Sequence, residues 1–455
     1  MLEFTFIHAA DLHLGAPFKG LDAAASSEFA VPGGGRGNLL AEAGFTALGR
    51  LERACLENSA DFLILSGDIY DDKDGVLRAR FALRDMFCRL NEAGVRVFIA
   101  HGNHDPLRPG PRPVAWPDNV TVFGSEVECF PVTRDGQTLA LIQGISHEQA
   151  KETENLALKF TRYVPDRTGD KGIFAQLPED VPADVFQIAV LHCAVGGAGE
   201  GHAPYAPCSL TDLTGAGFDY WALGHVHQGK ILSEKPHVVY PGSVQGMHIN
   251  ETGLHGCCIV RVTAQGIFVD RFPLAPVVWE KVRFALDTST ESLDALIDVL
   301  AGKLTDKASR DFDTLADKPS ALFCRVSLEG NTDMDAELRR PGSLETVLER
   351  LRDELVSWEG PVRVWVKDIV VATAPVRNFG MLAGRDDLVG EIVRLADSLR
   401  DDPERARDMV ERASSSIMGN VKLKKILSGA APDEDVTVLA DEARSLLCSL
   451  LEDEA

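Results

Sequence analysis

The feature that most restricts this chain is a repeated one: a short β-type run ending in a polar, glycine-containing segment that carries Asp, Asn or His. It recurs as FTFIHAADLHLG, FLILSGDIYDD, VRVFIAHGNHD, FQIAVLHCAVGG and DYWALGHVHQG. Runs this short read as strands, and with helical-period stretches between them they belong to an α/β layered domain. In open sheets of that class, ligands collect outside the carboxyl ends of the strands. The polar segments are therefore expected to converge on one site.

A coarse reading places strands at 4–8, 62–65, 95–100, 139–143, 186–191, 220–223 and 237–240, with helices at 39–58 and 77–93. The run CCIVRV around Cys257 and Cys258 reads as a further strand. Beyond residue 276 the pattern becomes a histidine-free βαβαβ unit, with strands at 277–286, 321–328 and 362–371 and helices at 292–304 and 344–355. From 374 on the chain is helical and charged, with helices at 386–399, 403–414 and 436–451 around the basic island VKLKKIL. Such helices are solvated faces or a disordered or partner-bound tail. At 455 residues the chain exceeds one core, so three parts are expected: 1–275 as the catalytic domain, 276–374 as a small α/β cap, and 375–455 as a helical C-terminal region suited to a partner.

Charge limits the partners. The chain has 46 Lys and Arg against 69 Asp and Glu, a net charge of -23, and a field of that sign repels nucleic acid at long range. Any DNA binding must rest on local basic patches, bound cations or another protein. The nine cysteines are scattered with no C-x-x-C pair, as in a reduced cytosolic protein. The N-terminus MLEFTFIHAADLHLG has neither a basic n-region nor a long apolar h-region, and apolar runs such as FLIL are too short to span a bilayer. A soluble cytoplasmic protein is expected.

The strand-end residues suit metal chemistry. Asp11 and His13 alternate in D-x-H and can reach one cation if the chain turns there. Asp68 follows Gly67, which permits a tight turn, and its carboxylate either bridges two cations or caps the turn. Asn103 offers a neutral amide oxygen, and the adjacent His104 is an acid candidate. His192 ends one strand, and His225 and His227 follow another as G-H-x-H. These residues suffice for two cations if Asp68 bridges, and mixed imidazole and oxygen ligation suits Mn, Fe or Zn better than Ca or Mg. Two cations about 4 Å apart clamp the attacking and leaving oxygens of an in-line displacement.

Around that set, Asp105 is placed to orient His104 or to be a solvated turn residue, and Asp71 and Asp72 carry the same two readings. Lys19, Arg108 and Arg112 are basic side chains near the expected mouth, suited to phosphate contact or to plain solvation. His248, after the PGS turn, is the histidine singled out for a rim role, whereas His8, His101, His147, His202, His237 and His255 read as packed or surface residues.

The blocks D-x-H, G-D, G-N-H-D, H and G-H-x-H, in this order, resemble the calcineurin-like metallophosphoesterases, over roughly residues 1–272. Within that superfamily HAADLHLG, SGDIYD, GNHDP, DYWALGHVHQG, YPGSVQGMHINETGLHGC and GHAPYAPCSL resemble the SbcD and YhaO group of DNA repair exonucleases. The resemblance implies a four-layer αββα sandwich. It puts Asp11, His13, Asp68 and His227 on one metal, Asp68, Asn103, His192 and His225 on the other, and makes His104 the candidate for protonating the leaving oxygen or stabilising the transition state. It further implies manganese-dependent hydrolysis of DNA phosphodiesters, as a homodimer working with an SbcC-like coiled-coil ATPase. The alternatives left open are a small-molecule phosphoesterase and a non-catalytic scaffold subunit.

Overall fold

A computed structural model describes residues 2–29, 38–71, 76–107, 114–165, 172–196, 205–377 and 379–418, together with 440, 443, 444, 446–448 and 451. Its strands are β1 (Phe4–Ala9), β2 (Phe62–Ser66), β3 (Arg96–Ala100), β4 (Val120–Val122), β5 (Glu128–Arg134), β6 (Gln137–Gly144), β7 (Phe186–His192), β8 (Tyr220–Gly224), β9 (Lys230–Glu234), β10 (His237–Tyr240), β11 (Gly256–Thr263), β12 (Gly266–Pro273), β13 (Val277–Ala285), β14 (Ala321–Asn331) and β15 (Arg363–Ala374). The helices are α1 (Ala23–Glu28), α2 (Leu39–Glu57), α3 (Val76–Glu92), α4 (Leu210–Gly215), α5 (Leu293–Arg310), α6 (Asp335–Leu338), α7 (Ser343–Ser357), α8 (Phe379–Ala383), α9 (Leu388–Arg400) and α10 (Pro403–Met418). The expected VKLKKIL island and most of the expected 436–451 helix lie outside the described residues.

The chain divides into two compact units. One comprises Met1–Val282, Leu300–Arg325 and Arg350–Asp368, and the other Arg283–Val299, Val326–Glu349 and Ile369–Ala455. The first contains two six-stranded sheets, ordered β12-β11-β1-β2-β3-β4 and β5-β6-β7-β8-β10-β9. β1 to β4 run parallel to one another, as do β6, β7, β8 and β10, with antiparallel strands added at the flanks.

Alternation along each strand explains the layering, since successive side chains point to opposite faces. Phe6, Phe62 and Ile64 meet Phe186, Ile188 and Tyr220 in the core between the sheets. The intervening Ile7, Leu63 and Leu65 pack outward on Leu48 and Leu51 of α2 and Leu83 and Phe87 of α3. On the far side, Leu191, Trp221 and Leu223 pack under Leu156, Phe160 and Leu213, a thinner cover formed by α4 and 3-10 turns. The result is the four-layer αββα sandwich. β13, β14 and β15 form a separate three-stranded sheet in that order. In the second unit, Val389 and Val393 of α9 pack with Cys448. Among the described residues no helix is long and apolar enough to cross a membrane.

Phe6 is wholly buried, stacked on Phe62 at 5.0 Å and edge-on to Tyr220 at 5.2 Å, and so ties the two sheets together. Phe6→Ala is expected to cost about 3–5 kcal/mol, read as a lower urea midpoint. An unchanged midpoint would contradict this account of the inter-sheet core.

Candidate metal centre

The site is made by strand ends whose backbone is bent in an uncommon way. Asp11, His13, Asp68 and His225 hold φ values of 51°, 42°, 51° and 105°, the left-handed region, which costs a non-glycine residue about 1–3 kcal/mol and clusters at functional sites. The bends are cross-tied: Asp11 N–H donates to Gly67 O at 3.0 Å and His13 N–H to Asp68 O at 3.0 Å. Close approach of the two sheets here depends on glycine. A Cβ on Gly67 would run into the His192 ring, and one on Gly224 into the Ser66 carbonyl.

From these turns the side chains converge. His192 Nε2 is 3.3 Å from Asp68 Oδ2 and 3.1 Å from Asn103 Oδ1. His13 Nε2 lies 3.8 Å from the same Asp68 oxygen and 3.2 Å from His227 Nε2. Asp68 Oδ2 thus stands between His13 and His192, while its Oδ1 accepts the His104 N–H at 2.8 Å. The Asp11 carboxylate accepts the His225 N–H with both oxygens, each at 3.1 Å. Among the described residues three donor sets result: Asp11, His13 and His227; His13, Asp68 and His104; and Asp11, Asp68 and His192.

The outer nitrogens explain why the inner ones point inward. His13 Nδ1 is 2.9 Å from Asp71 Oδ1, His227 Nδ1 is 2.6 Å from Glu251 Oε1, and His192 Nδ1 is 3.0 Å from Ser66 O. An imidazole whose Nδ1–H donates to such an acceptor presents the Nε2 lone pair on its opposite side. Burial lowers the His192 imidazole, but Asp68 and Asp11 outweigh it and push it up to about 9. Burial likewise raises Asp68, yet the His192, His13 and His104 imidazoles hold it well below the usual carboxylate range. The negative field that raises the imidazole likewise attracts divalent cations, and the donor set of carboxylate, amide and imidazole fits them.

The expected residues fall into three groups. Asp11, His13, Asp68, Asn103, His192 and His227 meet as described. His225 stands beside them, its ring edge-on to His192 at 5.3 Å and to Tyr205 at 5.6 Å, and does not join the three donor sets. His104 does join one, with its side chain half exposed.

Asp105 needs correction. It is buried, accepts N–H groups from Gly102 and Ile69, and pairs with His101 rather than His104. The reason is a tight turn that aims its carboxylate inward, at backbone donors. Asp71 takes the expected place, with Oδ1 2.9 Å from both His104 Nδ1 and His13 Nδ1. Lys19 is exposed on the loop after His13, and Arg108 and Arg112, with Asp72 and His202, lie outside the described residues. His248 turns toward Glu251, at 3.4 Å, rather than toward the centre. Glu251 lies within the YPGSVQGMHINETGLHGC block but is not among the site residues expected from it. Asp71→Ala should lower turnover of a chromogenic phosphodiester by about 10–100-fold, the usual scale for outer-layer partners of metal ligands. Wild-type turnover would show that both imidazoles hold their places without it.

The comparisons bear on the same region. The family profile for calcineurin-like phosphoesterases matches residues 4–229. The uncharacterized metallophosphoesterase YhaO of Bacillus subtilis is 34% identical over 358 residues, covering 78% of each chain. The DNA double-strand break repair protein Mre11 of Thermoplasma acidophilum is 26% identical over 205 residues, covering 43% of this chain and 48% of its own. With the matched segment running from β1 through the G-H-x-H block and the YhaO likeness reaching well beyond it, this chain belongs to the calcineurin-like phosphoesterases.

Proposed function

We propose that this metallophosphoesterase is a nuclease that hydrolyses phosphodiester bonds in DNA. The observation that carries the chemistry is His104: half exposed, edge-on to His13 with ring centroids 4.8 Å apart, and anchored through Nδ1 on Asp71. That anchoring leaves Nε2 to face a leaving oxygen. Two divalent cations, manganese in our reading, would be held by Asp11, His13, Asp68, Asn103, His192, His225 and His227, and when bound would polarise the phosphate and acidify the attacking water. Asp68 holds the middle of the set and fixes the His104 backbone, so acid and donors share one frame. Asn103 Oδ1 and His192 Nε2, 3.1 Å apart, would both turn a lone pair to the same cation.

The DNA substrate rests on the likeness to a relative named for double-strand break repair. The acidic chain does not attract DNA by its overall field, and an SbcC-like coiled-coil ATPase, binding a homodimer through the helical C-terminal region, would supply the missing contact. The same net charge favours a second reading, hydrolysis of a small phosphoester that needs no extended basic surface.

Assaying the purified chain with manganese on end-labelled duplex DNA, single-stranded DNA, a chromogenic diester and a monoester separates the two. Cleavage of DNA and the diester is expected. Turnover of the monoester alone would sink the nuclease reading. His104→Ala is expected to lower diester kcat by about 10²–10⁴-fold, the range of general acid catalysis, with manganese binding retained. Unchanged turnover would remove His104 from the mechanism.

A further inference from the structure

Glu251 lies beyond the family-matched segment, between β10 and β11. It is a buried carboxylate with its oxygens fully committed. Oε1 is 2.6 Å from His227 Nδ1, Oε2 accepts the Met247 N–H at 2.6 Å, and the Glu251 N–H donates to His248 O at 2.8 Å. Met247 in turn accepts the Lys19 N–H at 2.9 Å, which ties this turn to the loop leaving His13. The opposite nitrogen of His227, Nε2, faces His13 Nε2 at 3.2 Å, inside the set of Asp11, His13 and His227. The set of Asp11, Asp68 and His192 has a different outer partner, the Ser66 carbonyl on His192.

We propose that Glu251 is a positioning residue that fixes the tautomer and orientation of His227, and through it sets the affinity of one of the two divalent cations while leaving the other unaffected. The inference rests on the dinuclear reading above but not on the identity of the substrate. Its chemistry is specific. The two closest neighbours of the carboxylate, His227 Nδ1–H and Met247 N–H, each need an acceptor, and a carboxylate provides two, with His248 Nε2 more distant at 3.4 Å from Oε1. An amide provides one acceptor and one donor. In Glu251→Gln the amide NH2 therefore opposes Met247 N–H, or it donates to His227 Nδ1 and moves the ring proton to Nε2, where it blocks the lone pair needed at the centre.

The test uses the full chain and manganese alone as probe. Binding is followed by titration calorimetry and by the electron paramagnetic resonance signal of free manganese, with thermal unfolding in chelator as a control for folding. The wild type is expected to take two manganese ions. Glu251→Ala and Glu251→Gln should each keep one site at wild-type affinity and weaken the other about 10–100-fold, the scale for loss of an outer-layer partner. In diester hydrolysis, the manganese concentration for half-maximal rate should rise by the same factor while kcat at saturating manganese stays within a few-fold of wild type.

Wild-type affinity at both sites in either variant would overturn the proposal. So would equal weakening of both sites with a lowered melting temperature, since that marks a general structural role. A wild type that binds fewer than two manganese ions would overturn the dinuclear reading, and this inference with it.

Discussion

The structure of the first unit depends on one buried carboxylate. Asp68 is almost wholly out of water, and its oxygens face His192 from the second sheet, His13 from the first turn, and the His104 backbone. A charge in that position is tolerable only when paired on all sides, so the ends of β1, β2, β3 and β7 are held to one another by the need to satisfy it. The two sheets share an apolar core along most of their length and a polar one only at this edge, where that carboxylate organises the donors.

The cost of the arrangement is visible in the backbone. Asp11, His13, Asp68 and His225 adopt left-handed φ values that only a surrounding network can enforce. The enforcing contacts are the Asp11-to-Gly67 and His13-to-Asp68 backbone bonds and the glycines that let His192 and the Ser66 carbonyl come close. Behind the donors stands a second layer of acceptors, Asp71, Glu251 and the Ser66 carbonyl, each on the outer nitrogen of an imidazole. Deeper still, His8 bridges Ser66 and Tyr220 and is driven down to about 3 by burial, which makes it a neutral structural link under the site.

The strands that sequence reading located and those it missed differ in one respect. β1, β2, β3, β6, β7 and β8 are interior strands, buried on both faces, and show as near-continuous apolar runs. The strands that escaped, β4, β5, β9 and β12, are the edges of the two sheets. Their half-exposed patterns carry polar residues and, in β5, Pro131, as edges do. In the same way Asp105 has a metal-site sequence context, but its turn points it at backbone donors, and Asp71, three residues after Asp68, has the geometry that adjacency suggested for Asp105.

By itself the sequence determined the alternation of strand and helix, the strand-end placement of the metal-type side chains, and so the class of chemistry, because residue type and β period are local properties. The tertiary structure alone decided which carboxylate orients which imidazole. Glu251 is 24 residues from His227 and Asp71 is 58 from His13, and hydrogen bonds across such separations depend on turn conformation and sheet packing, which no local pattern encodes.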